Sequence, residues 1–232
     1  MARISRRTLL GLFVGGSMLA LAGAVATPNA SHAAYEDAFL LECTGITPST
    51  NNAFYPGADN IILSNNLARP VGKAEDAAGQ IVYLTGRVVD QNCVPVEGAI
   101  IDLWQADPFG KYRTASREEL LSPNAAFAGN GRAVTDNMGR YQFVTLFPGA
   151  NASTAPKMHL RVRHPDLQDV YTTAFFRGDQ RNSKDGQFRA YRSESQALLL
   201  ADVMYRNPNM PSAGLEATFN ITLQGVNPHR RY

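Results

Sequence analysis

The sequence predicts an all-β fold, an antiparallel β-sandwich carrying an irregular N-terminal arm and one short helix. Three observations predict it. Ala217, Phe219, Ile221 and Leu223 alternate with Thr218, Asn220, Thr222 and Gln224, the period of two that gives a strand one buried and one wet face. Short apolar runs recur between the turn clusters Asp90-Gln91-Asn92, Asp107-Pro108-Phe109-Gly110 and Asp136-Asn137-Met138-Gly139, the spacing of a sandwich. Finally, 44% hydrophobic and 18% charged residues support a packed core and exclude a disordered, collagen-like or coiled-coil chain.

Each element follows in order. Residues 1–33 have the three-part form of an export signal: Arg6-Arg7 behind Ser5, an apolar stretch from Leu9 to Ala26, and small residues before Ala33. Ser5-Arg6-Arg7-Thr8-Leu9-Leu10 resembles a twin-arginine signal, which implies export machinery as a partner and a periplasmic or extracellular destination. Gly11, Gly15, Gly16 and Gly23 weaken the same run as a membrane anchor. Residues 34–79 are rich in Asn, Pro, Ala and Gly without sustained periodicity and are expected to form the arm.

The sandwich is expected over 80–232. Strands are predicted at Ile81–Val89 and Ala99–Trp104, read together as a hairpin-like unit, then at Arg140–Leu146, Met158–Arg163, Val170–Phe176 and through 217–223. Ser193–Arg206 is the one predicted helix, with Leu198, Leu199, Leu200, Val203 and Met204 facing the core.

Charge argues against nucleic acid as a partner. Without Arg3, Arg6 and Arg7, the 22 basic residues fall to 19 against 20 acidic ones, leaving no concentrated basic surface for a phosphate backbone. Cys43 and Cys93 lack the paired spacing of a thiolate metal site, and in an oxidising compartment they can form a disulfide. Such a bridge would close a loop of about 50 residues and contribute roughly 4 kcal/mol on the chain-entropy model. No Gly-rich phosphate loop, nucleophile elbow or His-Glu-x-x-His helix points to a competing enzyme class.

The run Gly86-Arg87-Val88-Val89-Asp90, Val94-Pro95-Val96-Glu97-Gly98-Ala99, Leu103-Trp104-Gln105-Ala106-Asp107 and Gly110-Lys111-Tyr112-Arg113 resembles the core of intradiol ring-cleavage dioxygenases, the protocatechuate and catechol dioxygenases. The likeness continues through Gly131-Arg132, Thr135-Asp136, Gly139-Arg140-Tyr141, Pro148-Gly149, Phe176-Arg177-Gly178-Asp179 and Phe219-Asn220-Ile221-Thr222-Leu223. It implies an intradiol-type sandwich holding a non-haem Fe(III) ion that activates a small catecholic substrate, with assembly into homo-oligomers around the arms.

The resemblance further implies two tyrosine and two histidine ligands. Tyr112 and His159 fall on two of those positions, whereas Asn151 and Lys157 occupy the other two. A protonated lysine offers no lone pair, and an amide is a poor substitute for phenolate, so iron affinity is expected to fall steeply. The family's catalytic arginine has no counterpart, because Thr154 and Ala155 fill that stretch.

Lys157, His159 and Arg161 share one strand face; they are either merely solvated or form a basic floor, with Lys157 and Arg161 suited to a carboxylate or phenolate. Asp102 and Asp107 read as strand-edge and turn residues rather than as an acid/base pair. Two functions follow: exported non-haem iron ring cleavage, or a non-catalytic relative that binds an aromatic acid or a protein partner.

Overall fold

A computed structural model describes residues 45–69, 77–113, 124, 126–150 and 153–228. The export segment, Cys43, Asn151 and the ends of the arm lie outside them. Among the described residues, nine strands run in chain order: β1 (Ile81–Val89), β2 (Ile100–Gln105), β3 (Asn130–Val134), β4 (Arg140–Leu146), β5 (Lys157–His164), β6 (Leu167–Phe176), β7 (Leu200–Tyr205), β8 (Leu215–Thr218) and β9 (Ile221–Thr222). Two one-turn helices, α1 (Gly186–Arg189) and α2 (Ser193–Ala197), sit between β6 and β7. Among the described residues, no helix is long and apolar enough to cross a membrane.

The strands are hydrogen-bonded in the order β3-β2-β5-β6-β7-β8-β1-β4, with β9 beside β1. The joint between β6 and β7 is only two residue pairs long, Phe175 with Leu200 and Phe176 with Ala201. On either side of it the two halves face each other over one apolar core. Val82, Leu84 and Val88 of β1 meet Ile101 and Leu103 of β2 and Met158, Leu160 and Val162 of β5 there. Antiparallel pairing dominates, as the alternating sequence requires, but β1–β8, β1–β9 and β6–β7 are parallel.

Several local expectations are corrected. β1 and β2 do not form a hairpin: β1 pairs with β4, β8 and β9, and β2 pairs with β3 and β5. The turn after β1 is real, because Asp90 Oδ1 accepts from the Asn92 and Val94 amides, but it only folds the chain back as far as Val96, whose amide reaches the Val88 carbonyl. The 193–206 segment is helical only to Ala197; Leu200–Tyr205 is strand, so Met204 points outward at 64% exposure. Its run of leucines fits a buried helix or a buried strand equally well, and pairing with β8 decides for the strand. The alternating C-terminal stretch divides into β8 and β9, and β3 escaped the reading because Asn130-Gly131-Arg132 carries little β-forming pattern.

Strand alternation also creates the second face of the β3-β2-β5-β6 half. Residues 101, 103, 158, 160 and 162 go to the core; Asp102, Trp104, Lys157, His159, Arg161 and Thr173 take the opposite face. Residues 50–62 of the arm lie along that face, while Thr47 bonds to Thr222 of β9 and Asn66 bridges to Val144 of β4. The Trp104 indole donates to the Ala53 carbonyl at 2.9 Å, the Thr50 amide donates to the Tyr171 carbonyl at 2.6 Å, and the Ile62 amide donates to Asn130 Oδ1 at 2.9 Å.

Candidate functional site

Tyr112 reaches the site through the turn that ends β2. Asp107 Oδ1 accepts from the Phe109 and Lys111 amides, Gly110 adopts φ +80° where a side chain would be strained, and the chain returns so that Tyr112 bridges to Ala106. His159 lies mid-strand on β5, 1% exposed, its ring stacked on Trp104 with centroids 5.3 Å apart. The Tyr112 hydroxyl is 2.8 Å from His159 Nε2, and Thr173 Oγ1 is 3.2 Å from Nδ1.

Electrostatics assign the protons. Burial, and then the charge of Lys157, push the His159 pKa down to about 3 against the opposing pull of Asp185, so the ring is neutral. Burial, and then the Asp185 carboxylate, push the Tyr112 hydroxyl well above the usual phenol range, so it keeps its proton. One arrangement satisfies both: Tyr112 donates to Nε2, and Nδ1–H donates to Thr173 Oγ1. Thr173 in turn donates to Thr50 Oγ1 at 2.8 Å, which carries the chain of hydrogen bonds into the arm.

Beside it stands a second group. Lys157 Nζ lies 2.9 Å from Asp185 Oδ2 and 3.1 Å from Gln187 Oε1. Asp185, 1% exposed, also accepts from the Ala155 amide and caps α1 through the Gln187 and Phe188 amides. Burial alone would raise its pKa, but the lysine and these amides hold it below the usual carboxylate range. Gln187 Nε2 donates to Thr173 Oγ1 at 3.1 Å and to Asn51 Oδ1 at 3.3 Å, joining the two groups.

Arg161 lies farther along the face. It donates to Tyr55 at 3.3 Å and pairs with Asp169 at 3.0 Å, with its guanidinium over the Tyr55 and Tyr171 rings. Lys157 and Arg161 are thus held in ion pairs rather than merely solvated. Asp102 is corrected most: it is no strand-edge residue but lies inside β2 between β3 and β5, fully buried, taking donors from Arg132, Arg163 and Tyr55. Asp107 is a turn residue, as its spacing predicts. Cys93 is disulfide-bonded, and its expected partner Cys43 lies outside the described residues.

The donors present do not fit a four-ligand ferric centre. Tyr112 and His159 converge as two donors, but the neighbouring position on the strand face carries an ammonium committed to Asp185, which offers no lone pair. Among the described residues, no group of three His, Cys, Asp or Glu side chains could hold a metal ion.

Sequence reasoning missed Asp185, Gln187, Thr173, Thr50 and Phe54. Asp185 had one usable signal, Asp-Gly before a helical turn, but its partner lies 28 residues upstream. Phe54, stacked on Tyr112 with centroids 4.2 Å apart, carries no sequence signal at all.

Comparison with known proteins agrees with this architecture. A family model described as Dioxygenase matches residues 59–225. A Rickettsia bellii protein described provisionally as a dioxygenase is 37% identical over 116 residues, 47% of this chain and 56% of that protein. The protocatechuate 3,4-dioxygenase beta chain of Burkholderia cepacia is 37% identical over 90 residues, 38% of this chain and 37% of its own length. The chain therefore spans little more than half the length of the first of these relatives and little more than a third of the second. An intradiol ring-cleavage dioxygenase from Tetranychus urticae shares the fold, with a TM-score of 0.58 and 22% identity over 81% of this chain and 97% of that one. With the family model covering most of the chain, the sandwich topology matched and Tyr112 beside His159 at the end of its outer face, this protein belongs to the intradiol ring-cleavage dioxygenase family.

Proposed function

We propose that this chain is an exported family member that binds a catecholic or related aromatic acid at the Tyr112–His159 end of the sheet without a ferric ion. One observation carries the reading: the strand-face position beside His159, where a further ligand would stand, carries the Lys157 ammonium, paired with Asp185 at 2.9 Å. The surroundings suit an aromatic ring bearing a carboxylate or hydroxyls. Phe54 and Tyr112 supply aromatic surface, backed by the buried Trp104–His159 stack, and Lys157 supplies a donor. Arg161, farther along the same strand face, extends the basic floor. The residues bind and orient the ligand; no chemical step is assigned to them.

A second reading is ring cleavage of a catechol by iron held at Tyr112 and His159, with the remaining positions filled by water. The convergence of those two side chains on one point favours it. In both readings the protein acts outside the cytoplasm, and a second copy of the chain is an expected partner through the arm.

The test is metal analysis and a visible spectrum of the protein purified after export, with calorimetric titration of 3,4-dihydroxybenzoate and an oxygen-uptake assay. The proposal expects far less than one iron per chain, no tyrosinate-to-iron absorption band, and binding without oxygen consumption. Stoichiometric iron with catechol-dependent oxygen uptake decides for the second reading. Absence of any binding refutes the first.

A further inference from the structure

We infer that Phe54 is a gate over the ligand site: its ring occupies the place on Tyr112 that a planar aromatic ligand takes, and the ligand enters by displacing it. This rests on the aromatic-binding reading above.

The first observation is conformational. Phe54 sits at φ +59°, the left-handed region, which a bulky L-residue without a compensating reason avoids. The turn around it is pinned on both sides. The Ala53 carbonyl accepts from the Trp104 indole, the Tyr55 hydroxyl donates to buried Asp102, and the Tyr55 amide closes onto the Asn52 carbonyl at 3.1 Å. These contacts fix the neighbours and leave Phe54 as the residue whose side chain is presented outward.

The second observation is where that side chain goes. It is 65% exposed, yet it lies nearly parallel to Tyr112, with centroids 4.2 Å apart and ring planes 14° apart. At that separation nothing fits between the rings, so a ligand cannot add to the stack from within; it must replace Phe54. An exposed side chain can swing away by rotation about χ1 without moving the pinned backbone. Opening forfeits one exposed stacking contact and leaves the buried Tyr112–His159–Thr173 hydrogen bonds intact. The uncovered Tyr112 ring is already ordered by its hydrogen bond to His159, so the ligand pays little to organise its platform.

The third observation is the polar rim. Gln187 contacts both Asn51, three residues before Phe54, and Lys157, whose ammonium already serves one carboxylate. Both N–H groups of Gln187 are spent on Asn51 and Thr173, so a ring taking the place of Phe54 would bring its own carboxylate or hydroxyls to the remaining N–H of Lys157, a donor the phenyl group cannot use. The gate therefore selects for substituted aromatic rings over bare apolar ones.

The experiment compares wild-type protein with Phe54→Gly, since glycine accepts the left-handed backbone and removes the ring. Calorimetric titration uses 3,4-dihydroxybenzoate. The variant should bind about fivefold more tightly, the size of a lost competing aromatic stack. In wild-type protein, nuclear Overhauser contacts between the Phe54 and Tyr112 rings should disappear on saturation with the same probe. Equal or weaker binding by the variant, or ring contacts that persist in the complex, overturns the gate and leaves the binding reading standing. No binding by either protein overturns both. Should the variant fail to fold, the ring contacts in wild-type protein decide the question.

Discussion

Tyr112 and His159, 47 residues apart in the chain, meet at 2.8 Å through a phenol that keeps its proton and an imidazole that stays neutral. In a family whose members are implied to use such side chains as metal ligands, the pair here satisfies itself. Its partners Thr173, Thr50 and Gln187 extend it into a closed hydrogen-bonded group that also fastens the arm to the sheet.

The neutral histidine makes stability depend on pH. Its folded pKa of about 3 lies below the value near 6.5 expected in the unfolded chain, so between those values the unfolded state holds more protons. Stability is therefore complete above about pH 6.5 and is lost as the pH falls toward about 3, by at most about 1.4 kcal/mol per pH unit. Urea denaturation across that window should show the slope, and His159→Gln should flatten it.

Lys157→Met should destabilise the protein by about 3 kcal/mol, because it strands the Asp185 carboxylate in a buried site. Adding Asp185→Asn should recover part of the loss. Denaturant midpoints of the two variants measure the difference.

Iron binding should respond to the same coupling. Asn151→Tyr with Lys157→His supplies the two side chains that the family resemblance implies, but it also removes the cation from Asp185. Adding Asp185→Asn to that pair should give a more stable protein with more bound iron and a tyrosinate absorption band. Metal analysis and visible spectra of the double and triple variants check this.

Asp102→Ala should cost about 3 kcal/mol, since it leaves Arg132 and Arg163 facing a vacated buried position. Tyr55→Phe removes only one hydrogen bond to the same carboxylate and should cost about 1 kcal/mol. Thermal or urea unfolding distinguishes the two.

Replacing Arg6 and Arg7 by lysine should hold the precursor in the cytoplasm, as a twin-arginine signal requires. Cell fractionation reads the outcome, and mature protein outside the cytoplasm at the normal level would refute the signal.

Sequence by itself determined which side of each strand the site residues occupy. The period of two places His159 and Lys157 on one face whatever the strand pairs with, and the turn chemistry of Asp107–Gly110 and Asp136–Gly139 sets where β2 ends and β4 begins. The glycine in the first resemblance motif was legible as a residue but not as a reason: a Cβ on Gly86 would stand 1.9 Å from the carbonyl oxygen of Phe219, in the link between β8 and β9, 133 residues farther along the chain.

Only the tertiary structure decided what the site residues do. Alternation cannot say that α1 brings Asp185 to Lys157, that the arm lays Phe54 on Tyr112, or that Asp102 is enclosed by two arginines from neighbouring strands. Those contacts arise from strand order and from loops crossing the sheet, and local sequence carries no energy that depends on either. The charge of a buried lysine or carboxylate is settled by the partner it meets there, so the chemistry of this face emerges only once the β3-β2-β5-β6 sheet, the arm and α1 are assembled around it.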